Sequence, residues 1–432
     1  MPDSLLHRAP LPAHARRVLV IRLGALGDVV RTLPAVALLR ARRPGLAIDW
    51  LVEERARGPL EGFRAVDRIV ELPRRALVAD VRAGALGRAG ARLRAVVRAL
   101  RAARYDAAID FHGIAKSALL ARLSGAPLRY GYARPHAREG AWLLATHRAR
   151  LARGELSRHA RNRALVDFAA PAAPTAEGED GEGGSARDER AALAHAFAVD
   201  ARARAALAHA LAGGGAVAPA RPPVLLHPGT SAGAAHKRWT PDGFAALAAR
   251  LARAGERVLV ARGPGEDALA QAIVDAAGGA AALAPATATF ADLAALASLA
   301  SVVVAPDSAA IHVASLVGTP VVQLVGPTNP VENAPGEGAP WRRVRAARPL
   351  PCAPCRRGCA AAACMRAVRA ADVERAVREL VGPRRAACGA TVEAAVEVSR
   401  ATEGAAAARA TGGAEATARA EGRARDGARA RA

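Results

Sequence analysis

A chain of 432 residues, 52% of them apolar, holds enough material for two domains with separate cores. No stretch of about eighteen apolar residues runs uncharged, so no membrane-spanning helix is expected. The formal net charge of +23 is lopsided: residues 1–163 carry 32 Lys and Arg against 13 Asp and Glu, and the remainder is close to neutral. Such an excess asks for an anionic partner, whether nucleic acid, a membrane surface or a phosphorylated substrate.

Taken in order, residues 1–16 read as a loose arm rich in Pro, His and Arg, with no secretory signal. Val18 to Ile21 is an apolar β-branched run, expected as a buried strand. It leads into Arg22-Leu23-Gly24-Ala25-Leu26-Gly27-Asp28, a sharp turn with exposed backbone. Thr32 and Pro34 open a helix that continues to Arg40. Further strands are expected at Ala47 to Val52, Arg68 to Leu72, Tyr105 to Asp110 and Arg129 to Tyr132. Helices are expected at Arg88 to Arg104 and Ile114 to Leu123. In the first of these Leu93, Val96, Val97 and Leu100 share a face, and Arg88, Arg92, Arg94, Arg98 and Arg101 point mostly away from it.

From Pro171 to Arg190 the composition turns to Pro, Gly, Ala, Glu and Asp, as in a flexible insertion. Ala191 to Ala212 is helical by composition. A second series follows, with strands at Val224 to Leu226, Val258 to Ala261, Val302 to Val304 and Val321 to Leu324. Its helices are Asp242 to Ala254, Glu266 to Ala277, Asp292 to Leu299 and one from Asp307 or Ser308 to Val317. A last helix, Ala370 to Val381, stops at Gly382-Pro383, and 384–432 lacks hydrophobic periodicity and is expected to be disordered. The class is α/β, with parallel, doubly wound, Rossmann-like halves. The expected division is an arm at 1–16, a first half at 17–168, an acidic insertion and connecting helix at 169–221, a second half at 222–345, a Cys-rich segment with the final helix at 346–383, and a tail at 384–432.

Several loops have the chemistry of an anion site. Pro306-Asp307-Ser308 ends a strand and starts a helix, so free N–H groups and the positive end of the helix dipole face outward. Ala309 and Ala310 are small enough for a phosphate to approach the backbone, and His312 lies one turn on. His227-Pro228-Gly229-Thr230-Ser231 follows another strand, and its hydroxyls and the nearby Lys237 suit a diphosphate. Only two basic residues are lysines, Lys116 and Lys237; in a chain that otherwise uses arginine, such a position suits a compact ammonium. Glu266, after Gly263-Pro264-Gly265, suits a ribose diol or the first turn of a helix. Asp28 suits a general base facing a cleft, or an N-cap.

Together these motifs resemble glycosyltransferase family 9, the ADP-heptose:lipopolysaccharide heptosyltransferases. The matching stretches are 22–28 with Thr32 to Pro34, 110–117, 227–229 with 237–239, 306–312 with 318–320 and 326–328, and Cys352 to Cys355 with Cys364-Met365. The resemblance implies the GT-B fold, two Rossmann-like domains across a cleft, the acceptor on the first and the sugar nucleotide on the second. By position it makes Asp28 the catalytic base and Lys237 the group that neutralises the departing diphosphate. It assigns Thr230, Ser231, Glu266, Asp307, Ser308, Ala309 and His312 to the donor, and Arg22, His112 and Lys116 to the acceptor. Two departures are Ala309, where the family often has Gly, and His112, where Gln is commoner. The implied reaction is inverting single displacement from ADP-heptose to the lipopolysaccharide inner core, without a metal or other cofactor. The implied location is cytoplasmic, peripheral at the anionic inner face of the inner membrane.

Other readings are a GT-B glycosyltransferase with a different sugar nucleotide, or a basic nucleic-acid-binding protein. The second lacks basic–aromatic interleaving and any nucleic-acid module, so no nucleic-acid partner is expected. A dehydrogenase is disfavoured because no G-x-G-x-x-G follows the first strand. The spacing of Cys352, Cys355, Cys359 and Cys364 could bind zinc through four thiolates, though more tightly bunched than in a usual two-knuckle site.

Overall fold

The structure, a computed structural model, describes residues 9–151, 154, 156–172, 182–213, 221–348, 350, 352, 354–355, 359 and 361–382. The first half runs β1 (Arg17–Ile21), α1 (Leu26–Val30), α2 (Leu33–Arg42), β2 (Ala47–Glu53), β3 (Arg68–Leu72), α3 (Arg74–Arg82), α4 (Leu86–Ala102), β4 (Ala107–Asp110), α5 (Ala115–Leu123), β5 (Leu128–Tyr132), β6 (His147–Ala149) and α6 (Arg158–Ala169). Helices α7 (Glu182–Ala196) and α8 (Ala201–Leu211) lead to the second half. That half runs β7 (Val224–Leu226), α9 (Pro241–Arg253), β8 (Val258–Val260), α10 (Asp267–Ala276), β9 (Ala282–Leu283), α11 (Phe290–Ser298), β10 (Val302–Pro306), α12 (Ala309–Leu316), β11 (Val321–Leu324) and β12 (Trp341–Val344). Short α13 (Ala363–Arg366) and a helix over 370–382 close the described chain.

Each half carries a six-stranded sheet, ordered β3-β2-β1-β4-β5-β6 in the first and β12-β11-β10-β7-β8-β9 in the second. Every strand pair is parallel. The reason lies in the strands. Val18, Leu19, Val20 and Ile21 are all fully buried, as a strand covered on both faces must be. Val18 and Val20 enter one core with Ile48, Trp50, Val36 and Leu165, while Leu19 and Ile21 enter another with Leu51, Leu100 and Leu120. In each sheet the chain winds outward from the centre in both directions, so a crevice opens beyond the carboxyl ends of β1 and β4, and of β7 and β10.

Four expectations change. The arm at 1–16 is not loose from Ala9 onward: Leu11 is buried, its N–H donates to the Ala169 carbonyl at 2.7 Å, and Arg43 donates to the carbonyls of Leu11, Pro12 and Ala13. The insertion is helical over α7, which packs on α2 and buries Ala192 and Ala196. Residues 173–181 and the tail expected to be disordered lie outside the described residues. Of the α4 face, only Leu100 is buried; Val96 and Val97 are half-buried and Leu93 is exposed. A preceding helix, α3, is absent from the sequence reading.

Candidate active site

The loops after β1, β4, β7 and β10 open on the crevices, and most of the candidate residues sit on them or on the helices that follow, with Glu266 after β8. After β1 the chain turns at once into α1, a helix too short for the sequence pattern to show. Asp28 lies in its first turn and caps nothing; Ala25 holds the N-cap position. Its carboxylate is gripped by three guanidinium groups: Arg22 at 2.5 Å, Arg31 at 2.9 Å and Arg158 at 2.9 Å. Burial pushes this carboxyl up, but the charges of Arg22, Arg31 and Arg158 outweigh it and hold it well below the usual carboxylate range. Asp28 is therefore ionised at any working pH.

The arginines are themselves fixed. Arg22 is buried and donates to the Phe111 carbonyl at 2.7 Å, tying the loop after β1 to the loop after β4. Arg31 donates to the Gly27 carbonyl at 3.3 Å and to Asn333 Oδ1 at 3.2 Å, reaching into the second half. Arg158 opens α6, and its backbone N–H donates to the Glu332 carbonyl at 3.1 Å.

In the second half, neither Asp307 nor Ser308 caps α12. Ser308 stands at the N-cap with its hydroxyl buried and unpaired, so the first N–H groups of the helix keep no side-chain partner. Asp307 instead accepts from Lys237 Nζ at 3.0 Å, across from the loop after β7. Glu266 stands at the N-cap of α10 and folds back, accepting from the Gly263 N–H at 3.0 Å. Its carboxylate lies so close over Gly229 that a Cβ there would run into it. Thr230 is tied into its own loop. Its hydroxyl donates to the Ala234 carbonyl at 3.1 Å and accepts from Arg238 at 3.1 Å, bracing the loop. Ser231 is exposed.

The two crevices meet where α1 lies against α12. A methyl group added at Gly27 would sit 3.3 Å from the Ala309 Cα and 3.4 Å from the His312 ring. His312 is buried with both ring nitrogens unpaired, and its ring lies 5.9 Å from that of His159 on α6. Burial, then the charges of Arg31 and His159, push the His312 imidazole well down, so it is neutral. Asp28, Arg22, Ala309 and His312 thus share one neighbourhood, with Lys237 and Asp307 paired at the mouth of the other crevice. Of the residues assigned to the acceptor, Arg22 holds Asp28 directly. His112 lies on the loop after β4, next to the Phe111 carbonyl that Arg22 reaches, its imidazole pushed down to about 3 by burial and then by Arg22. Lys116 is exposed and paired with Glu53 at 2.6 Å, and its charge also reaches His112.

Sequence reasoning missed Arg31, Arg158 and His159. In a chain with this much arginine, nothing marks out Arg31, three residues on at the end of the same short helix, or Arg158, which closes on Asp28 from α6. The four cysteines of the bunch are free thiols, and among the described residues no group of three or more His, Cys, Asp or Glu side chains converges as a metal site.

A family model described as glycosyltransferase family 9 (heptosyltransferase) matches residues 93–363, more than half of the chain. Lipopolysaccharide heptosyltransferase 1 of Escherichia coli K12 is 33% identical over 123 residues, which span 28% of this chain and 38% of that protein. The Pseudomonas aeruginosa protein of the same name is 35% identical over 127 residues, spanning 28% of this chain and 34% of its own length. The aligned stretch thus spans little more than a third of these relatives. Among solved structures, an E. coli heptosyltransferase crystallised with ADP superposes with a TM-score of 0.62 at 22% identity, covering 84% of this chain and 99% of that one. A family 9 glycosyltransferase from Veillonella parvula gives 0.62 at 19% identity, covering 85% and 97%. Both support the GT-B arrangement of facing Rossmann-like halves that the sheets display. The chain belongs to glycosyltransferase family 9.

Proposed function

We propose that this protein transfers a heptose from ADP-heptose to the inner core of lipopolysaccharide by inverting single displacement. The observation that carries the reading is the meeting of an ionised Asp28 with the uncapped N-terminus of α12, one helix against the other, beside the Lys237–Asp307 pair. A diphosphate bound to the free N–H groups of α12 and to Lys237 presents the anomeric carbon toward α1. Asp28 takes the proton of the acceptor hydroxyl as that oxygen attacks, and ADP leaves with its growing charge held by Lys237 and the helix end. A weak base suffices here. When departure of the leaving group runs ahead of attack, the hydroxyl becomes acidic only as its bond to carbon forms, and the proton moves late. Glu266 over Gly229 is placed to take the ribose diol. The names of the heptosyltransferase 1 relatives support the choice of sugar and acceptor, as does the E. coli heptosyltransferase crystallised with ADP-2-deoxy-2-fluoro heptose.

The acceptor is then a lipid-linked anionic sugar, and the enzyme works peripherally at the anionic cytoplasmic face of the inner membrane. No helix among the described residues is long and apolar enough to cross a membrane. The test is ADP release and product mass with ADP-heptose and a set of truncated core acceptors, run beside other ADP- and UDP-sugars. Transfer from another sugar nucleotide in preference to ADP-heptose would overturn the assignment of the donor.

A further inference from the structure

The large apolar side chains most exposed among the described residues are Val78, Val81, Leu86, Leu93, Leu119 and Leu143, with 37%, 55%, 67%, 38%, 50% and 69% of their surface open. All fall between α3 and the 3₁₀ turn at Ala141–Leu143, and these elements form a chain of neighbours: α3 packs on α4, α4 on α5, and α5 on that turn. Val78 and Val81 are three residues apart and Leu86 and Leu93 seven, so each pair lines one stripe of its helix. A soluble surface scatters such residues; here they gather.

The charge around them is mostly positive, with Glu54 engaged by the first N–H groups of α3 and Glu139 by the Ala115 N–H. Residues 74–106 carry nine arginines against Asp80 and Asp106. Asp80 is buried and paired with Arg92 at 2.7 Å and Arg88 at 3.4 Å, pinning α4 to α3, while Asp106 accepts from the backbone N–H groups of Arg16 and Arg17. Arg82, Arg94 and Arg98 make no ion pair among the described residues. In the turn, Trp142 lies under the Arg134 guanidinium at 4.0 Å, an aromatic and a cation side by side beside exposed Leu143.

We propose that this face of the first half docks on an anionic lipid bilayer, its aliphatic side chains entering the interface while its arginines hold lipid phosphates. Charge chooses the occupant. A second copy of the chain meeting this face by two-fold symmetry would set arginine against arginine. Nucleic acid would satisfy the arginines and leave the aliphatic side chains in water. A bilayer with anionic headgroups satisfies both. The inference deepens the proposed function by naming the element that brings the enzyme to a lipid-linked acceptor, and rests on that reading only for its purpose, since binding is measured without acceptor.

The full chain is sedimented with vesicles of phosphatidylcholine alone and of phosphatidylcholine mixed with phosphatidylglycerol, across a salt series. Binding is expected to the mixed vesicles only, weakening but persisting as salt rises, because insertion is not screened. The combined exposed-site variant Val81→Ser, Leu86→Ser, Leu93→Ser should bind at least about tenfold more weakly with every arginine intact. Arg94→Gln with Arg98→Gln should weaken binding at low salt most. Transfer to a soluble, delipidated acceptor should be unchanged in both variants, so failure of docking and failure of the transferase reading are told apart. No binding by the wild type, or equal binding by the triple-serine variant, would overturn the proposal. So would a concentration-dependent dimer in sedimentation velocity that the triple-serine variant abolishes, since it would assign the face to a second copy.

Discussion

Asp28 shares its two oxygens among three guanidinium groups, and a carboxylate held in this way gives up its proton early and takes one back reluctantly. Asp28→Asn keeps the shape and removes the acceptance of a proton, so turnover should fall by about 10²–10⁴-fold with ADP affinity little changed. Near-normal turnover in that variant would reduce Asp28 to an anchor for its arginines. Arg158 lowers the proton affinity of this group, so Arg158→Ala should raise it and move the acid limb of the kcat/KM profile, followed down to low pH, upward. An unmoved limb would mean that a different group sets it. Lys237 and Asp307 form a pair in which the carboxylate is the more buried partner. Lys237→Ala should therefore weaken ADP binding twice over, by losing a cation and by leaving Asp307 to repel the diphosphate. Adding Asp307→Asn should recover part of the affinity, and Lys237→Arg should restore only part of the activity. Asp28 and Lys237 were legible in the sequence because each follows a strand that reads plainly. The guanidinium ring was not, because its members come from α1, the loop before it and α6, and only folding brings them together.

At the scale of elements, the core strands declared themselves: Arg68–Leu72 and Val321–Leu324 occupy the expected residues, and Arg17–Ile21 differs by one. Their burial on both faces demands continuous apolar runs, which sequence shows directly. The edge strands β6, β9 and β12 did not show, since two to four residues at a sheet margin carry no period of their own. The part of α7 before Ala191 was hidden by a Glu- and Gly-rich composition, and the helix packs on α2. The close approach of α1 to α12 was equally invisible, although its cause, Gly27, stood in the motif. Gly27→Ala should push the helices apart and lower turnover by about tenfold or more, the usual cost of overpacking at a tight contact. Gly229→Ala should displace the Glu266 carboxylate and weaken ADP binding, measured by calorimetry, while leaving Asp28 untouched. Wild-type affinity in the latter would separate Glu266 from the nucleotide.

Across the whole molecule, the halves are joined by polar contacts that no local pattern predicts. Arg31 reaches Asn333, Arg161 pairs with Glu332 at 3.3 Å, and Arg163 lies 3.1 Å from Glu189 of α7 and 3.8 Å from Glu337. Burial pushes the Glu189 carboxyl up to about 7 despite Arg163, with Glu337 and Asp167 adding to the rise. A carboxyl whose proton is held more tightly when folded contributes stability below its unfolded value of 4.5 and loses it as pH rises through about 7. Between pH 5 and pH 8 the wild type should thus lose roughly 1–3 kcal/mol relative to Glu189→Gln, read from paired melting curves. Parallel curves would show that Glu189 stays ionised throughout.

The scarcity of lysine has a practical consequence of its own. An acylating reagent that attacks side-chain amines finds only Lys116 and Lys237 in the entire sequence. Lys116 is open at the surface, and Lys237 stands a quarter exposed at the mouth of the second crevice. Peptide mass mapping after brief acetylation should show Lys237 shielded when ADP is present and Lys116 labelled to the same extent with or without it. The protein thereby carries its own occupancy reporter and its own internal standard, two amines in one chain, readable before any acceptor has been found.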